Sequence, residues 1–264
     1  MTVTHSTVGT TIADGLATIT LARPTASNAL DVPTKQAFLA AVDAVAADPA
    51  VRAVLLAAQG TNFCVGQDLA EHVEGLRADP STAMETVGVH YNPLIKALTE
   101  IQVPVVVAIR GACVGAGLGI ALTGDIRVVG AGAKFATAFT GIGLASDSGL
   151  SHAMVHALGY SRAVGLMLLG DRFTATEALT WGLVHRVVDD EEVEATAREL
   201  ARSLAQGPTE AYRHLKRLLR TDAAGLADAL EREQAAQEAL GATRDHSAAV
   251  EAFLTKSPPV FEGR

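Results

Sequence analysis

Two glycine-rich loops contain the residues of this 264-residue sequence that are best suited to chemistry. They span 62–69 and 110–119, and each follows an apolar run of strand length, at 51–57 and 105–109. Glycine adopts positive φ and lets a ligand approach the backbone, so such loops can present N–H groups to it. In an α/β sheet, the loops that follow parallel strands meet at the carboxyl edge, where ligands bind. We therefore expect the two loops to form one site.

A third candidate is Asp147, which lies in the segment Gly-Leu-Ala-Ser-Asp-Ser-Gly at 143–149, just before a predicted helix. A carboxylate that faces a bound substrate can act as a general base. Aspartate is also a favoured helix N-cap, and Ser148 offers the same kind of cap. Residue types and spacing alone favour the cap over catalysis.

The spacing of the glycines argues against a dinucleotide-binding loop. The second loop has glycine at 111, 115, 117 and 119, but Ile120 occupies the position of the third small residue of that motif. The cluster also lies far from the N-terminus, and no acidic residue follows about 20 positions later at a strand end. A structural tight turn remains the alternative to a ligand-binding loop.

Other candidate ligands and nucleophiles are interpreted as structural. His152 and His156 share one helix face at i,i+4 spacing, but no third metal ligand lies near them, so we predict no metal site. Cys64 and Cys113 lie beside the two loops without a histidine or a basic residue as a sequence neighbour. We interpret both cysteines as small packing residues.

Composition limits the classes of function. Apolar residues make up 49% of the chain and the net charge is −8, which is typical of a globular protein and unlike a nucleic-acid binder with its basic face. The sequence opens without a signal-peptide pattern, and no apolar run approaches the roughly 20 residues of a membrane helix. Two cysteines are too few for a disulfide framework. We expect a cytoplasmic protein that binds neither nucleic acid nor membrane.

The pattern along the chain predicts an α/β fold. A hairpin is expected at 8–22 with its turn at Asp14-Gly15, and a helix is expected after Asp31. Further strands are predicted at 51–57, 105–109, 125–129 and 134–136, with helices at 81–101 and 118–123. After Asp147 the predicted elements are all helices, at 148–158, 161–169, 175–182, 190–206, 208–221, 225–241 and 245–255. We divide the chain into a core at 1–200 and a C-terminal helical region at 201–264.

Motifs spread over nearly the whole chain resemble those of one family. They are Arg23-Pro24 with Asn28-Ala29-Leu30, the run Phe-Cys-Val-Gly-Gln-Asp-Leu at 63–69, the segment from Pro104 to Arg127 with its glycines, Ala178 with Trp181-Gly-Leu-Val184, and Ala252-Phe-Leu254 with Lys256 and Pro258-Pro259. As a set they resemble the crotonase (enoyl-coenzyme A hydratase/isomerase) superfamily. The resemblance implies a ββα-spiral core and a C-terminal helical region that forms a homotrimer or a hexamer of two trimers. It also implies an acyl-coenzyme A substrate, with no cofactor besides the coenzyme A that the substrate carries.

The resemblance assigns a role to the two loops. By motif position, the backbone N–H groups of Gln67 and Ala116 form an oxyanion hole for the thioester oxygen, and losing one comparable donor typically costs about 2.7–4 kcal/mol. Arg23 would contact the coenzyme A phosphates, and Lys256 could reach the nucleotide of a neighbouring subunit. Asp68 either contacts substrate or, as its sequence context favours, caps the helix after it. The full set of implied substrate-binding residues is Arg23, Ala29, Val65, Gly66, Asp68, Leu69, Gly115, Phe139 and Leu144.

Two substitutions argue against a hydratase. The hydratases of this family use two glutamates, and their motif positions hold Gly119 and Phe139, which can neither transfer a proton nor orient water. Several isomerases of the superfamily, and its aryl-coenzyme A dehalogenases, have their working aspartate at the position of Asp147. The resemblance therefore reverses the preference at Asp147 from cap to catalysis. The substrate oxygen on the two N–H groups would acidify a neighbouring C–H, and Asp147 would move the proton.

The segments around Asp147 are most similar to those of isomerases that act on ring epoxides of phenylacetyl-coenzyme A. The shared residues are Tyr91-Asn92-Pro93-Leu94, Gly115-Ala116-Gly117, Phe135 with Ala138-Phe139, Ile142-Gly143-Leu144 and Asp147-Ser148-Gly149. Ser146 replaces the expected proline, and Leu150 replaces the second glycine after Asp147-Ser148-Gly149. Leu150 would narrow the pocket if it pointed inward. We expect Phe139, Leu144 and Leu150 to desolvate Asp147 and raise its pKa.

Two alternatives remain open. In a dehalogenase Asp147 would be a nucleophile, but the position of the required histidine holds Asn92, and His90 would face elsewhere on a helix. The chain could also be a catalytically silent acyl-coenzyme A binder. The acyl group, the choice between double-bond and epoxide isomerisation, and trimer against hexamer are left open by the sequence.

Overall fold

The computed structural model describes residues 6–79, 81–220, 234, 237, 239–240 and 243–264. Its strands form a six-stranded sheet of order β1-β2-β3-β4-β6-β9 and a three-stranded sheet of order β5-β7-β8. The strands are β1 (Val8–Ala13), β2 (Leu16–Leu21), β3 (Ala53–Ala58), β4 (Val105–Ile109), β5 (Ala112–Val114), β6 (Ile126–Gly130), β7 (Lys134–Ala136), β8 (Phe173–Thr174) and β9 (Arg186–Val188).

Helices connect these strands and cover the large sheet. The α-helices in the described residues are α1 (Val32–Ala47), α2 (Leu69–Ala78), α3 (Asn92–Glu100), α4 (Ala116–Thr123), α5 (Leu150–Leu158), α6 (Tyr160–Leu169), α7 (Ala175–Thr180), α8 (Val193–Ala205), α9 (Thr209–Arg220) and α10 (Arg244–Thr255). A π-helical turn (Val87–Tyr91) precedes α3, and 3-10 turns lie at Pro24–Ala26, Thr140–Ile142 and Asp190–Glu192.

The large sheet is buried on both faces because its central strands alternate between two apolar layers. In β3, Val54 and Leu56 pack into the layer that contains α1 and α3. Ala53 and Leu55 point the other way, into the layer formed by α8. Apart from the β1–β2 hairpin, neighbouring strands of this sheet run parallel. Their carboxyl ends therefore lie at one edge, where the loops after β3 and β4 emerge.

The α/β class and most predicted elements are confirmed. The hairpin turns at Asp14 and Gly15, both with positive φ as a tight two-residue turn requires. Asp31 is the N-cap of α1, its carboxylate accepting from the Thr34 N–H at 2.9 Å. The helix predicted at 225–241 lies for the most part outside the described residues. The division at residue 200 stays a prediction, and α8 runs across that position while packed on the sheet.

Three strands were missed, and one helix begins later than predicted. β5 lies inside the glycine-rich segment, whose small residues conceal strand character, and β8 and β9 are two or three residues long within a region predicted as wholly helical. The helix predicted from residue 81 begins only at residue 85, after turns at 81–84, and continues through the π turn at Val87–Tyr91 into α3. Pro93 accounts for the π turn, because proline cannot donate the i→i−4 hydrogen bond and its ring crowds the carbonyl of residue 89.

Candidate active site

The two glycine-rich loops lie against each other, as expected. Cys64 pairs with Cys113 in an isolated parallel bridge, in which the Cys64 N–H donates to the Ala112 carbonyl at 3.2 Å and the Val114 N–H donates to the Cys64 carbonyl at 3.0 Å. A Cβ at position 117 would collide with the Cys64 carbonyl, so only glycine lets α4 approach this closely. The bridge and the close packing fix the first loop against the start of α4.

The Gln67 N–H can bind a ligand because the hydrogen bonds of the bridge to Leu30 are made by the residues on either side of it, Gly66 and Asp68. The Leu30 N–H donates to the Gly66 carbonyl at 2.8 Å, and the Asp68 N–H donates to the Leu30 carbonyl at 3.2 Å. In such a parallel bridge the residue between these two points its own N–H to the opposite side. Among the described residues the Gln67 N–H has no acceptor.

Among the residues that the structure describes, the Ala116 N–H also has no acceptor, but for a different reason. Ala116 is the first residue of α4, and the first N–H groups of a helix have no acceptor within it. Gly115, with φ of 56°, makes the turn into the helix while its own N–H donates to the Ala136 carbonyl at 3.0 Å. A Cβ on Gly66 would lie 3.3 Å from the Ala116 nitrogen, so the two donor loops are in contact. The structure thus brings together the two N–H groups that the sequence motif paired.

Both donors line a cavity of about 140 Å³. Of the residues predicted for the site, those that line it are Val65, Gly66, Gln67, Leu69, Gly115, Ala116, Phe139, Leu144 and Asp147. Most of its walls are apolar, which makes hydrogen bonds and charges inside it stronger than in water. Arg23, Ala29 and Asp68 do not line this cavity.

Arg23 is engaged within the protein. Its guanidinium forms ion pairs with Asp31 at 3.1 Å and with Asp68 at 3.0 Å, and it also donates to the Ala29 carbonyl. Asp68 caps α2, as its sequence context suggested, because its carboxylate accepts from the N–H groups of Ala70 and Glu71. A contact of Arg23 with coenzyme A phosphates stays a prediction.

Asp147 does not cap the following helix. α5 begins at Leu150 and its N-cap is Gly149, without a side-chain cap. Ser148 and Gly149 are both left-handed, with φ of 53° and 67°, a turn that leaves the aspartate side chain in the cavity wall. Within the described part of the chain its carboxylate accepts one hydrogen bond, from the Ser148 hydroxyl at 2.8 Å. The capping interpretation of Asp147 is therefore wrong.

The surroundings of Asp147 favour its protonated form. Burial raises the pKa of the Asp147 carboxyl above its ordinary value, against the hydrogen bond from Ser148 and the positive charge of Lys35, which both lower it. Phe139 and Leu144 lie in the same cavity wall, as expected. Leu150 does not: its side chain is buried in the core and does not line the cavity, so the condition under which it would narrow the pocket is not met.

The structure also explains why no glutamate stands at position 119. Ser148 packs directly on Gly119, and a Cβ there would lie 2.7 Å from the Ser148 carbonyl oxygen and 2.8 Å from its Cβ. The absent side chain thus makes room for the turn that carries Asp147. Phe139, at the other hydratase position, places a ring in the cavity wall. Neither position supplies a group that transfers a proton.

A polar cluster around the buried Lys35, part of which lines the cavity, was missed by sequence reasoning. It contains Lys35, Gln67, Glu71, Thr86 and Tyr91. One signal was available: Lys35 precedes Phe38 by three residues and Val42 by seven, so it lies on the apolar face of α1. Lysine is almost never fully buried unless it is paired, and a lysine at that register therefore indicates a buried partner.

The structure also shows the surroundings of the histidines and cysteines that the sequence offered as candidates. His72 of α2 lines the cavity, whereas His90 does not and instead contacts the Thr86 hydroxyl at 3.1 Å. His152 and His156 stack at 6.2 Å, and no group of three metal-binding side chains occurs in the described residues. Burial raises the pKa of the Cys64 thiol to about 12, which agrees with its interpretation as a packing residue.

Comparisons with known proteins agree with this geometry. The family model described as enoyl-CoA hydratase/isomerase matches residues 11–264. The 1,2-epoxyphenylacetyl-CoA isomerase of Escherichia coli is 35% identical over 255 residues, covering 95% of this chain and 96% of that protein. A Rhodobacter capsulatus protein named "Probable enoyl-CoA hydratase" is 36% identical over 98% of this chain and 99% of its own length.

Solved structures give the same result. A crystal structure provisionally described as an enoyl-CoA hydratase/isomerase from Mycobacterium abscessus superposes with a TM-score of 0.96 at 59% identity, covering 97% of this chain and all of that one. The fold is therefore the crotonase fold that the motifs implied. Of the helices that the structure describes, none has the length and apolar character needed to cross a membrane.

Proposed function

Because the chain belongs to the enoyl-CoA hydratase/isomerase family, we propose that it is an acyl-coenzyme A isomerase in which Asp147 moves the proton. One observation carries the proposal. Two backbone N–H groups without an acceptor among the described residues and one partly buried carboxylate share a cavity, while the positions of the two hydratase glutamates hold Gly119, covered by Ser148, and Phe139. A single carboxylate is sufficient for isomerisation because the proton that it removes is returned to the same molecule.

The mechanism follows from this arrangement. The thioester oxygen accepts hydrogen bonds from the Gln67 and Ala116 N–H groups, which stabilise the negative charge of the enolate. Asp147 removes a proton from the carbon beside the thioester, and the electrons of that C–H bond move into the enolate. The resulting carboxylic acid returns the proton to a distant carbon of the conjugated system. The double bond shifts, or, in a ring epoxide, the C–C bond shared by the epoxide and the six-membered ring breaks to give a seven-membered oxepin, with no net gain or loss of atoms.

The raised pKa of Asp147 suits this role. General base and general acid act in turn, so a pKa nearer to the working pH than that of an exposed aspartate favours both half-reactions. Burial is the main cause of the shift, and a bound acyl group would exclude more water from the carboxylate. The same group would then serve as base and acid without a second ionisable partner.

The cavity favours a compact acyl group. At about 140 Å³ it is close to the roughly 150 Å³ cavity that accommodates one benzene ring in an engineered protein. A ring epoxide of phenylacetyl-coenzyme A or a short enoyl chain fits such a volume. The Escherichia coli relative, named for the ring-epoxide substrate, supports the same choice. We propose the ring-epoxide thioester as the preferred substrate.

The remaining expectations belong to the same proposal. Arg23 and Lys256 would contact the coenzyme A moiety, the helices of 201–264 would join subunits into a trimer or hexamer, and the enzyme would act in the cytoplasm without an added cofactor. Sedimentation velocity of the purified protein tests the assembly. A monomer at micromolar concentration would contradict it.

An assay panel tests the reaction. Ring-epoxide, 3-enoyl and 2-enoyl coenzyme A thioesters are each incubated with the wild-type protein and with Asp147→Asn. We expect turnover of the ring epoxide or the 3-enoyl thioester by the wild type and its loss in Asp147→Asn, with thermal melting confirming that the variant is folded. Full turnover by Asp147→Asn would contradict the assignment. Tight binding of every thioester without turnover would indicate a silent binder.

One observation favours a second candidate, the hydrolytic dehalogenation of an aryl-coenzyme A. His72 of α2 lines the cavity that contains Asp147, so a histidine is available even though Asn92 occupies the expected position. Asp147 would displace halide from the ring to form an ester, and water activated by His72 would cleave that ester. Halide release from 4-chlorobenzoyl-coenzyme A, with an aryl adduct on Asp147, would support it. Absence of both would eliminate it.

A further inference from the structure

The most unusual group near the site is the ammonium of Lys35. Its side chain is fully buried, although a lone charge at such a depth is strongly disfavoured. Its three N–H groups match three acceptors: Gln67 Oε1 at 3.0 Å, Glu71 Oε1 at 3.0 Å and Thr86 Oγ1 at 2.8 Å. It also lies 5.2 Å from the centre of the Tyr91 ring. Two of the N–H groups of Lys35 therefore bind residues that line the cavity, Gln67 and Thr86. The third binds Glu71, which in turn accepts from the Gln67 side chain.

Gln67 is the centre of these contacts. Its side-chain oxygen accepts from Lys35 and from the Tyr91 hydroxyl at 2.8 Å, and its side-chain nitrogen donates to Glu71 at 2.8 Å. The other oxygen of Glu71 accepts from the Val32 N–H at 2.6 Å, which ties the cluster to the start of α1. The side chain of Gln67 is thus held by α1, α2 and the π turn, and Gln67 itself lines the cavity.

We propose that Lys35 is a positioning residue for the isomerase reaction, acting through the Gln67 side chain to fix the direction of the Gln67 backbone N–H. The inference rests on the proposed function, because it concerns the aim of that donor at the thioester oxygen. Stabilisation of an oxyanion depends on donors that are already oriented before charge develops. Backbone donors can in principle tolerate any side chain. In this chain, three hydrogen bonds restrain the side chain at position 67.

The charge of Lys35 adds a second, separable effect. Burial raises the pKa of Asp147, and the hydrogen bond from Ser148 and the charge of Lys35 oppose that rise. Removing the charge therefore raises the pKa of Asp147 further, and the acid limb of the rate profile moves to higher pH. Other titratable groups around the cavity are His72 and Glu71 on α2, and His90 and Tyr91 on the π turn.

A matched pair of variants tests the proposal. Lys216 is another buried lysine, bonded to Asp125 and to the Val103 carbonyl at 2.6 Å, and it does not line the cavity. Lys35→Met and Lys216→Met each remove a buried ammonium, and both should lower the melting temperature. Only Lys35→Met should lower kcat, by about tenfold or more, with little change in KM. Only this variant should shift the acid limb upward.

Two more variants separate the effect of Lys35 on the direction of the Gln67 N–H from the effect of its charge. Lys35→Arg keeps the charge with a different donor geometry, so the acid limb should return toward the wild-type position while kcat stays reduced. Gln67→Leu keeps the backbone N–H but removes the side chain that Lys35 holds. It should lower kcat without Lys35→Met adding a further loss in the double variant. Gln67→Leu also tests the proposal if Lys35→Met fails to fold.

Wild type and Asp147→Asn are assayed beside these variants. If the wild type turns over and Asp147→Asn does not, but Lys35→Met and Gln67→Leu keep wild-type kcat and acid limb, the positioning role is wrong and the proposed function stands. A loss of kcat in Lys216→Met equal to that in Lys35→Met would also overturn the positioning role. If the wild type turns over no thioester, both proposals are wrong.

Discussion

The two walls of the cavity are built in different ways. On one wall the working groups are backbone N–H groups at Gln67 and Ala116, fixed by bridges between loops and by a helix start. On the other wall the working group is the side chain of Asp147, which accepts one hydrogen bond within the described residues and follows a segment with little regular structure. The first wall depends on how the chain folds, and the second depends on which residue stands at one position.

This difference assigns a separate role to each wall. Under the proposed function, the backbone donors bind the thioester oxygen and so define the substrate class. Under the same proposal, the side chain that shares the cavity with them defines the reaction, because Asp147 can move a proton whereas Gly119 and Phe139 cannot. In this chain Gly119 links the two walls, because its missing side chain lets Ser148 pack on α4 and places Asp147 in the cavity.

The largest effect is expected on the side-chain wall. Asp147→Asn keeps the shape and removes the base, so kcat should fall by about 10²–10⁴-fold while KM changes little. Steady-state kinetics on the preferred thioester measures it. Asp48→Asn, which alters the turn after α1 and lies outside the cavity, is the control and should retain most of the activity. Equal losses in the two variants would show that Asp147 has no special role.

The next effect is expected on the backbone wall. Ala116→Pro removes one donor at the first position of α4, where proline is tolerated, and kcat should fall by about 10²–10³-fold. Ala116→Gly keeps the N–H and should remain within a few-fold of the wild type. Circular dichroism checks that both fold. If Ala116→Pro is folded and fully active, the Ala116 N–H is not an oxyanion donor.

A smaller effect is expected where the walls meet. Gly119→Ala places a methyl group against Ser148, which should displace Asp147, lower kcat about tenfold and cost about 1–3 kcal/mol of stability. Gly165→Ala on α6 is the control, because its Cβ would meet nothing within 4 Å. Denaturant unfolding and kinetics measure both changes. A Gly119→Ala variant as stable and active as Gly165→Ala would show that the packing of Ser148 on Gly119 does not position Asp147.

The smallest effect concerns stability and pH. The folded-state pKa of Asp147 is raised by burial, so its contribution to stability is present below the unfolded-state pKa and is lost as pH rises through the folded-state pKa. Asp147→Asn should therefore melt at a higher temperature than the wild type at neutral pH. The difference should shrink toward about pH 4, where the unfolded carboxyl protonates. A lower melting temperature for Asp147→Asn at neutral pH would contradict the pKa shift.

The two walls also differ in how far the sequence predicted them. Glycine spacing and the apolar strands located both donor loops, because backbone geometry at Gly115 and Gly117 leaves a recognisable pattern. Residue type alone could not decide whether Asp147 caps a helix or acts on substrate. The left-handed conformation of Ser148 takes Asp147 away from the cap position, and no reliable sequence signal predicts that conformation. Lys35 was missed because its partners Glu71 and Thr86 are distant in sequence. Short strands such as β8 fell below the length at which periodicity is visible.

The most direct test is the mass of the product formed from the ring-epoxide thioester by the wild-type protein and by Asp147→Asn. An isomerase gives a product of the same mass as the substrate, with a changed absorption spectrum, and Asp147→Asn gives almost none. A product heavier by one water molecule, or equal rates of product formation in the two proteins, would contradict proton transfer by Asp147 opposite the Gln67 and Ala116 donors.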